Sequence, residues 1–140
     1  MFRITIILTF CLVLVTSTIV ITNPLQTSFT NNELPYKYGN FGEVPYGKTQ
    51  SVELFITDKS LCNNDDIEHF TKPTYVVIKA TIQQTCSYTK RALLAQSKGA
   101  KGIIIATQGY EYSEGNVYLG DDGSGRKVHI TTIFISYPSF

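Results

Sequence analysis

The stretch CSYTKRALLAQSKGAKGIIIA, residues 86–106, constrains the fold more than any other part of the chain. Ser87 is placed to cap a helix over residues 88–98, and Gly99 stands where such a helix must stop. Tyr88, Ala92 and Ala95 fall on one face at helical spacing, and the two alanines let that face lie close against a sheet. The run GIIIAT at 102–107 is too short and too β-branched for a second helix, so it reads as a buried strand. Lys90, Arg91, Lys98 and Lys101 on or beside the helix read as its solvated face.

Other strand signals flank this unit. TYVVIKATI at 74–82 is nearly continuous in apolar character, as in a central strand, and VHITTIFIS at 128–136 is equally strong. QSVELFIT at 50–57 alternates around Val52, Leu54 and Ile56 and predicts a half-buried strand. Between them, residues 58–73 read as a loop with one short helical turn near 65–70, and residues 108–127 as a long loop. The segment YKYGNFGEVPYG at 36–47 reads as an extended loop punctuated by Gly39 and Gly42. Nine tyrosines, eight phenylalanines and no tryptophan suit a β-rich fold, because aromatic side chains favour pleated surfaces. These signals predict an α+β domain: mostly β-strands in a small barrel or sandwich, with one or two helices packed on it.

The first 22 residues differ from the rest. One basic residue, Arg3, precedes an uncharged apolar run that ends at Asn23 and Pro24, the layout of a secretory signal. Ser17 and Thr22, each with a valine two residues earlier, are the candidate cleavage points. The run also approaches the ~18 apolar residues of a membrane span, so a retained signal anchor is the rival reading. Residues 23–34 form a linker and residues 35–140 the domain. Cys11 would leave with the signal, and the even pair Cys62 and Cys86 would bridge in an oxidising compartment. A formal net charge of +1 argues against a nucleic-acid partner.

No catalytic or metal motif emerges. A Cys86 nucleophile with His69 or His129 as base competes poorly with simple pairing of the two cysteines. GDDGSG at 120–125 lacks the alternating ligands and closing glutamate of a calcium loop. It also lacks the Gly-Lys-Ser/Thr ending of a phosphate loop and the glycine spacing of a nucleophile elbow. It reads as a polar turn. Asp65–Asp66 and Asp121–Asp122 read as solvated pairs, and two histidines with two bridged cysteines make no zinc site.

Taken in order, Cys86, Tyr88, Lys90, Ala95-Gln96, Gly99-Ala100 and Ile103–Ile105 resemble the protease-associated (PA) domain. GDDGSGRKVHITTIFIS is similar to the stretch entering a later strand of that family, above all in membrane RING ubiquitin ligases and vacuolar sorting receptors. Cys62 matches the upstream cysteine that pairs in many luminal members. Gln83-Gln84-Thr85 stands where the family often has Arg-Gly, and Ile130-Thr131 where it has Ile-Pro. The family continues through at least one more strand after ISYPSF, so a C-terminally truncated domain is expected. The resemblance implies a module without catalytic residues, cofactor or metal, binding a protein or peptide in the secretory or endomembrane lumen or outside the cell. Membrane association is expected only if the first segment stays as an anchor. The alternatives are an accessory fragment of a PA-containing transmembrane ubiquitin ligase or secreted peptidase, and an independent thiol enzyme. For binding, the aromatics of the two long loops are the candidates: Tyr36, Tyr38, Phe41 and Tyr46, with Tyr110, Tyr112 and Tyr118. The competing role for these rings is to cover the sheet edge.

Overall fold

The computed structural model describes residues 36–46, 50–80, 86–107, 113–114 and 117–136. The first 35 residues, where the sequence predicts a signal segment and a linker, and Tyr110 and Tyr112 lie outside the described residues. Among the described residues the chain forms a mixed α/β domain with one sheet and one α-helix. The strands are β1 (Tyr36–Gly39), β2 (Glu53–Thr57), β3 (Thr74–Lys79), β4 (Gly102–Thr107), β5 (Ser113–Glu114), β6 (Val117–Tyr118) and β7 (Thr131–Ser136). The helix α1 (Tyr88–Ser97) lies between β3 and β4, and a 3-10 turn spans Gly125–Lys127.

The seven strands hydrogen-bond in the order β2-β3-β4-β7-β1-β6-β5. The ladders β2–β3, β3–β4 and β4–β7 are parallel, while β1 runs antiparallel to β7. Parallel neighbours need a long crossover, which α1 supplies between β3 and β4. Central parallel strands are covered on both faces and therefore read as unbroken apolar runs. All six residues of β4 are buried, as are the first five of β3 and of β7.

Period-2 alternation sorts these side chains into two clusters. Val76, Ile78, Ile103, Ile105 and Phe134 lie in the cluster that contains Ala92 and Ala95 of α1. Tyr75, Val77, Ile104, Ala106, Ile133 and Ile135 form the second cluster, against which Tyr36, Tyr38 and Val52 pack.

The helix is bounded as the sequence predicts. The Ser87 hydroxyl accepts from the Lys90 amide at 3.2 Å. At the other end Gly99, at φ +84°, sits just beyond the cap. Its amide donates to the Gln96 carbonyl, and the Ala100 amide donates to the Ala95 carbonyl, which together make a Schellman motif.

Several sequence boundaries change. The 36–47 segment contains β1, and its strand character comes from pairing with β7 and β6, far along the chain. The 108–127 loop contains β5, β6 and the 3-10 turn. Residues 65–70 carry turns and bends but no helix. Arg91, expected on a solvated helix face, is only 2% exposed. It lies at i+3 from Tyr88 and i−4 from Ala95, so it shares their inward face.

Candidate protein interface

Among the described residues, the rings proposed from sequence as loop anchors (Tyr36, Tyr38, Phe41, Tyr46 and Tyr118) do not gather on one surface. Phe41 and Tyr118 are buried in the helix-side core. The Tyr118 and Phe134 rings stack at 4.1 Å, and Phe41 meets Phe134 edge-on at 6.2 Å. Both rings therefore supply core area instead of contact surface, a correction to the loop reading. Tyr36 and Tyr38 are half-buried on β1 and cover the second cluster. Of the described candidates, Tyr46 alone is exposed, at 81%.

Among the described residues the exposed large apolar side chains are Tyr46, Leu54, Phe55, Ile56, Val117 and Leu119, and three of them are consecutive on β2. β2 stands at one end of the strand order and is paired by β3 on one side. Leu54 and Phe55 are each 40% exposed and Ile56 is 51% exposed. The sequence predicts this strand as half-buried, but its edge position leaves four of its five residues exposed. Leu54 and Ile56 align with Tyr75 and Val77 on one face, while Phe55 aligns with Val76 on the other. Phe55 packs edge-on against Phe70, with ring centroids 5.3 Å apart.

The backbone of this edge is also defined. The Glu53 amide donates to the Pro73 carbonyl at 2.9 Å, so Glu53 faces β3. Successive residues of a strand turn their amide and carbonyl to alternate sides. Phe55 and Thr57 therefore face β3 as Glu53 does, and the backbone groups of Leu54 and Ile56 point out of the sheet. Such an edge is a template for another strand. Its ends are polar: Lys72 and Glu53 form an exposed ion pair at 2.9 Å, and Asp58 and Lys59 follow the strand.

Ahead of β2, the same stretch of chain borders an open cleft of about 450 Å³. Gln50, Ser51 and Val52 line it together with Lys101, His129 and Thr131. The Tyr75 hydroxyl donates to the Gln50 side-chain carbonyl at 2.5 Å, and burial pushes its pKa up. The Tyr75 ring lies so close over Gly102 that a Cβ there would fall 2.5 Å from a ring carbon. Any larger residue at 102 would therefore force the Tyr75 ring to shift.

A second polar constellation surrounds the start of α1. The Asp122 carboxylate accepts from the Ser87 hydroxyl at 2.6 Å and from the Ser124 amide and hydroxyl at 2.9 and 2.5 Å. Hydrogen bonds from Ser124, then Ser87 and Thr89, hold Asp122 well below the usual carboxylate range. The Asp121 carboxylate accepts from the Gly123 and Gly125 amides, and the Asn40 side chain accepts from the Gly120 and Asp121 amides. The GDDGSG turn is therefore a pinned loop in which both aspartates bond to neighbours, not a solvated pair. Cys62 and Cys86 are joined in a disulfide with Cα atoms 5.7 Å apart. Among the described residues no three His, Cys, Asp or Glu side chains gather as a metal-binding group.

A comparison with family models matches residues 46–140 to the PA domain. The chain belongs to the PA domain family. PA domains are in general protein-interaction modules and typically non-catalytic inserts. The comparison with curated proteins gave no match to the PA chain. The match begins at Tyr46 and takes in β2, the disulfide, α1 and β7, so the exposed edge belongs to the matched region.

Proposed function

We propose that this PA domain is a non-catalytic module of the secretory or endomembrane lumen that captures an extended polypeptide segment along the edge of β2 that is unpaired among the described residues. The observation that carries the reading is the apolar edge strand itself. Leu54 and Ile56 offer outward backbone donors and acceptors, and three large apolar side chains flank them on both faces. In strand addition the main chain supplies affinity and alternate side chains supply specificity. The cleft bordered by the residues just before β2 offers Glu43, Lys101 and His129 to a polar end of the segment. The apolar first segment and the Cys62–Cys86 bridge support an oxidising compartment.

The test is panning of a displayed random decapeptide library against the oxidised domain, followed by affinity measurement with Ile56→Pro. Proline at an outward-facing edge position removes a free donor without breaking the β3 ladder. Enriched peptides should alternate apolar residues and lose at least about tenfold in affinity for the variant, the size expected for one lost hydrogen bond with its neighbouring contacts. Full binding by a folded Ile56→Pro domain would refute the edge as the site.

A further inference from the structure

The disulfide sits in an asymmetric electrostatic setting. Arg91 is almost wholly buried, yet no carboxylate pairs with it among the described residues. Its Nε donates to the Cys86 sulfur at 3.4 Å and its Nη2 to the Cys86 carbonyl at 3.1 Å, while Nη1 is buried without a hydrogen-bond partner. A buried cation without a counter-ion is costly, and a neighbouring anion would relieve that cost. Cys86 also immediately precedes the helix cap Ser87, where the positive end of α1 favours negative charge. A carboxylate lies beside the Cys62 backbone instead. The Asp66 carboxylate accepts from the Cys62 and Asn63 amides at 3.0 and 3.1 Å, and a nearby carboxylate disfavours a thiolate. Cys62 opens onto an exposed run, Asn63 to Asp65, whereas the Cys86 sulfur is backed by the guanidinium.

We propose that the Cys62–Cys86 bridge is a directional thiol-exchange site, at which an incoming thiol is joined to Cys62 and Cys86 is released as a thiolate held by Arg91. The incoming thiolate attacks the Cys62 sulfur and forms a mixed disulfide there. The bond between the two cysteine sulfurs breaks, and its electron pair stays on Cys86. Negative charge thus moves from the incoming sulfur to Cys86 with no proton or external oxidant needed. The reverse attack by Cys86 restores the bridge and expels the thiol. The lower-pKa sulfur is the better leaving group, which fixes the direction. The guanidinium and the helix end lie on the Cys86 side of the bond and favour charge there more than on Cys62, so Arg91 is a positioning residue for the exchange.

The experiment treats the oxidised full-length protein with glutathione at neutral pH for a short interval, then adds an excess of a fast alkylating agent to trap the released thiol, and maps both modifications by peptide mass. The expected products carry glutathione on Cys62 and the alkyl group on Cys86, in about tenfold excess over the reverse arrangement. Arg91→Gln should bring the two arrangements toward equality, and Asp66→Asn should shift them in the same sense by a smaller factor. Should either variant fail to fold, the wild-type ratio alone decides. An even distribution in the wild-type protein, glutathione mainly on Cys86, or a bridge inert to glutathione would each overturn the proposal.

Discussion

β4 and β2 are the same kind of sequence with opposite fates. GIIIAT and ELFIT are short runs dominated by residues that favour strands. β4 lies between β3 and β7 and is buried at every position, whereas β2 ends the sheet and is exposed at four of five. Side-chain type makes each a strand, but the number of hydrogen-bonded neighbours decides whether its apolar groups serve as core or as surface. Apolar side chains retained at an edge, where proteins commonly place charge or proline, are the physical basis for assigning β2 to binding.

The largest effects should come from the buried side of that comparison. Ile105→Ala removes a fully buried side chain and is expected to cost about 3 kcal/mol, read as a lower urea midpoint. If the β4 core were as loosely packed as the β2 edge, the loss would fall below about 1 kcal/mol. Tyr118→Ala, which removes the ring stacked on Phe134, should cost about 3 kcal/mol, whereas Tyr46→Ala should change stability by less than about 0.5 kcal/mol. Equal effects would mean that the two tyrosines are not divided into core and surface.

Asp122→Ala tests the pin between the GDDGSG loop and α1. It should cost about 1 kcal/mol, the scale of a net hydrogen-bond contribution, because the carboxylate is exposed to solvent. Asp122 and Asp66 both have folded-state pKa values below their unfolded ones. For Asp66, slight burial raises the pKa, but hydrogen bonds from Asn63, Ser60 and Cys62 and the charge of Lys59 outweigh it. The contribution of both groups is complete above about pH 4 and is lost as pH falls through the depressed values. A stability profile for Asp122→Ala should therefore converge on the wild type at low pH. The smallest effect belongs to β2, where Ile56→Ala should change the urea midpoint by less than about 0.5 kcal/mol equivalent.

What was readable in the sequence follows the same division. The range 102–107 and the capped helix could be read because local signals fixed them: β-branched apolar residues, a serine cap and a glycine stop. The cysteine pairing followed from an even count. β1 was hidden because YKYG has little apolar character, and its pairing with Ile133–Ile135 joins distant parts of the chain. The two-residue strands β5 and β6 carry too few side chains for any periodicity. The exposure of β2 was equally hidden, since an alternating run does not reveal whether a second neighbour will pair with it. Arg91 was misread by charge, although the Tyr88–Ala92–Ala95 face already contained it by spacing. The roles of Asp121 and Asp122 depend on Asn40, Ser87 and Ser124, of which only Ser124 is close in sequence.

Hydrogen exchange at the β2 amides, with and without a library-selected decapeptide, measures the central claim at the atoms it concerns. In the free domain the amides of Leu54 and Ile56 should exchange quickly, while those of Phe55 and Thr57, facing β3, should be protected. On peptide binding, Leu54 and Ile56 should become protected by at least about tenfold, with little change across β4. If a bound peptide leaves those two amides exchanging at the free rate, capture does not occur by strand addition to β2.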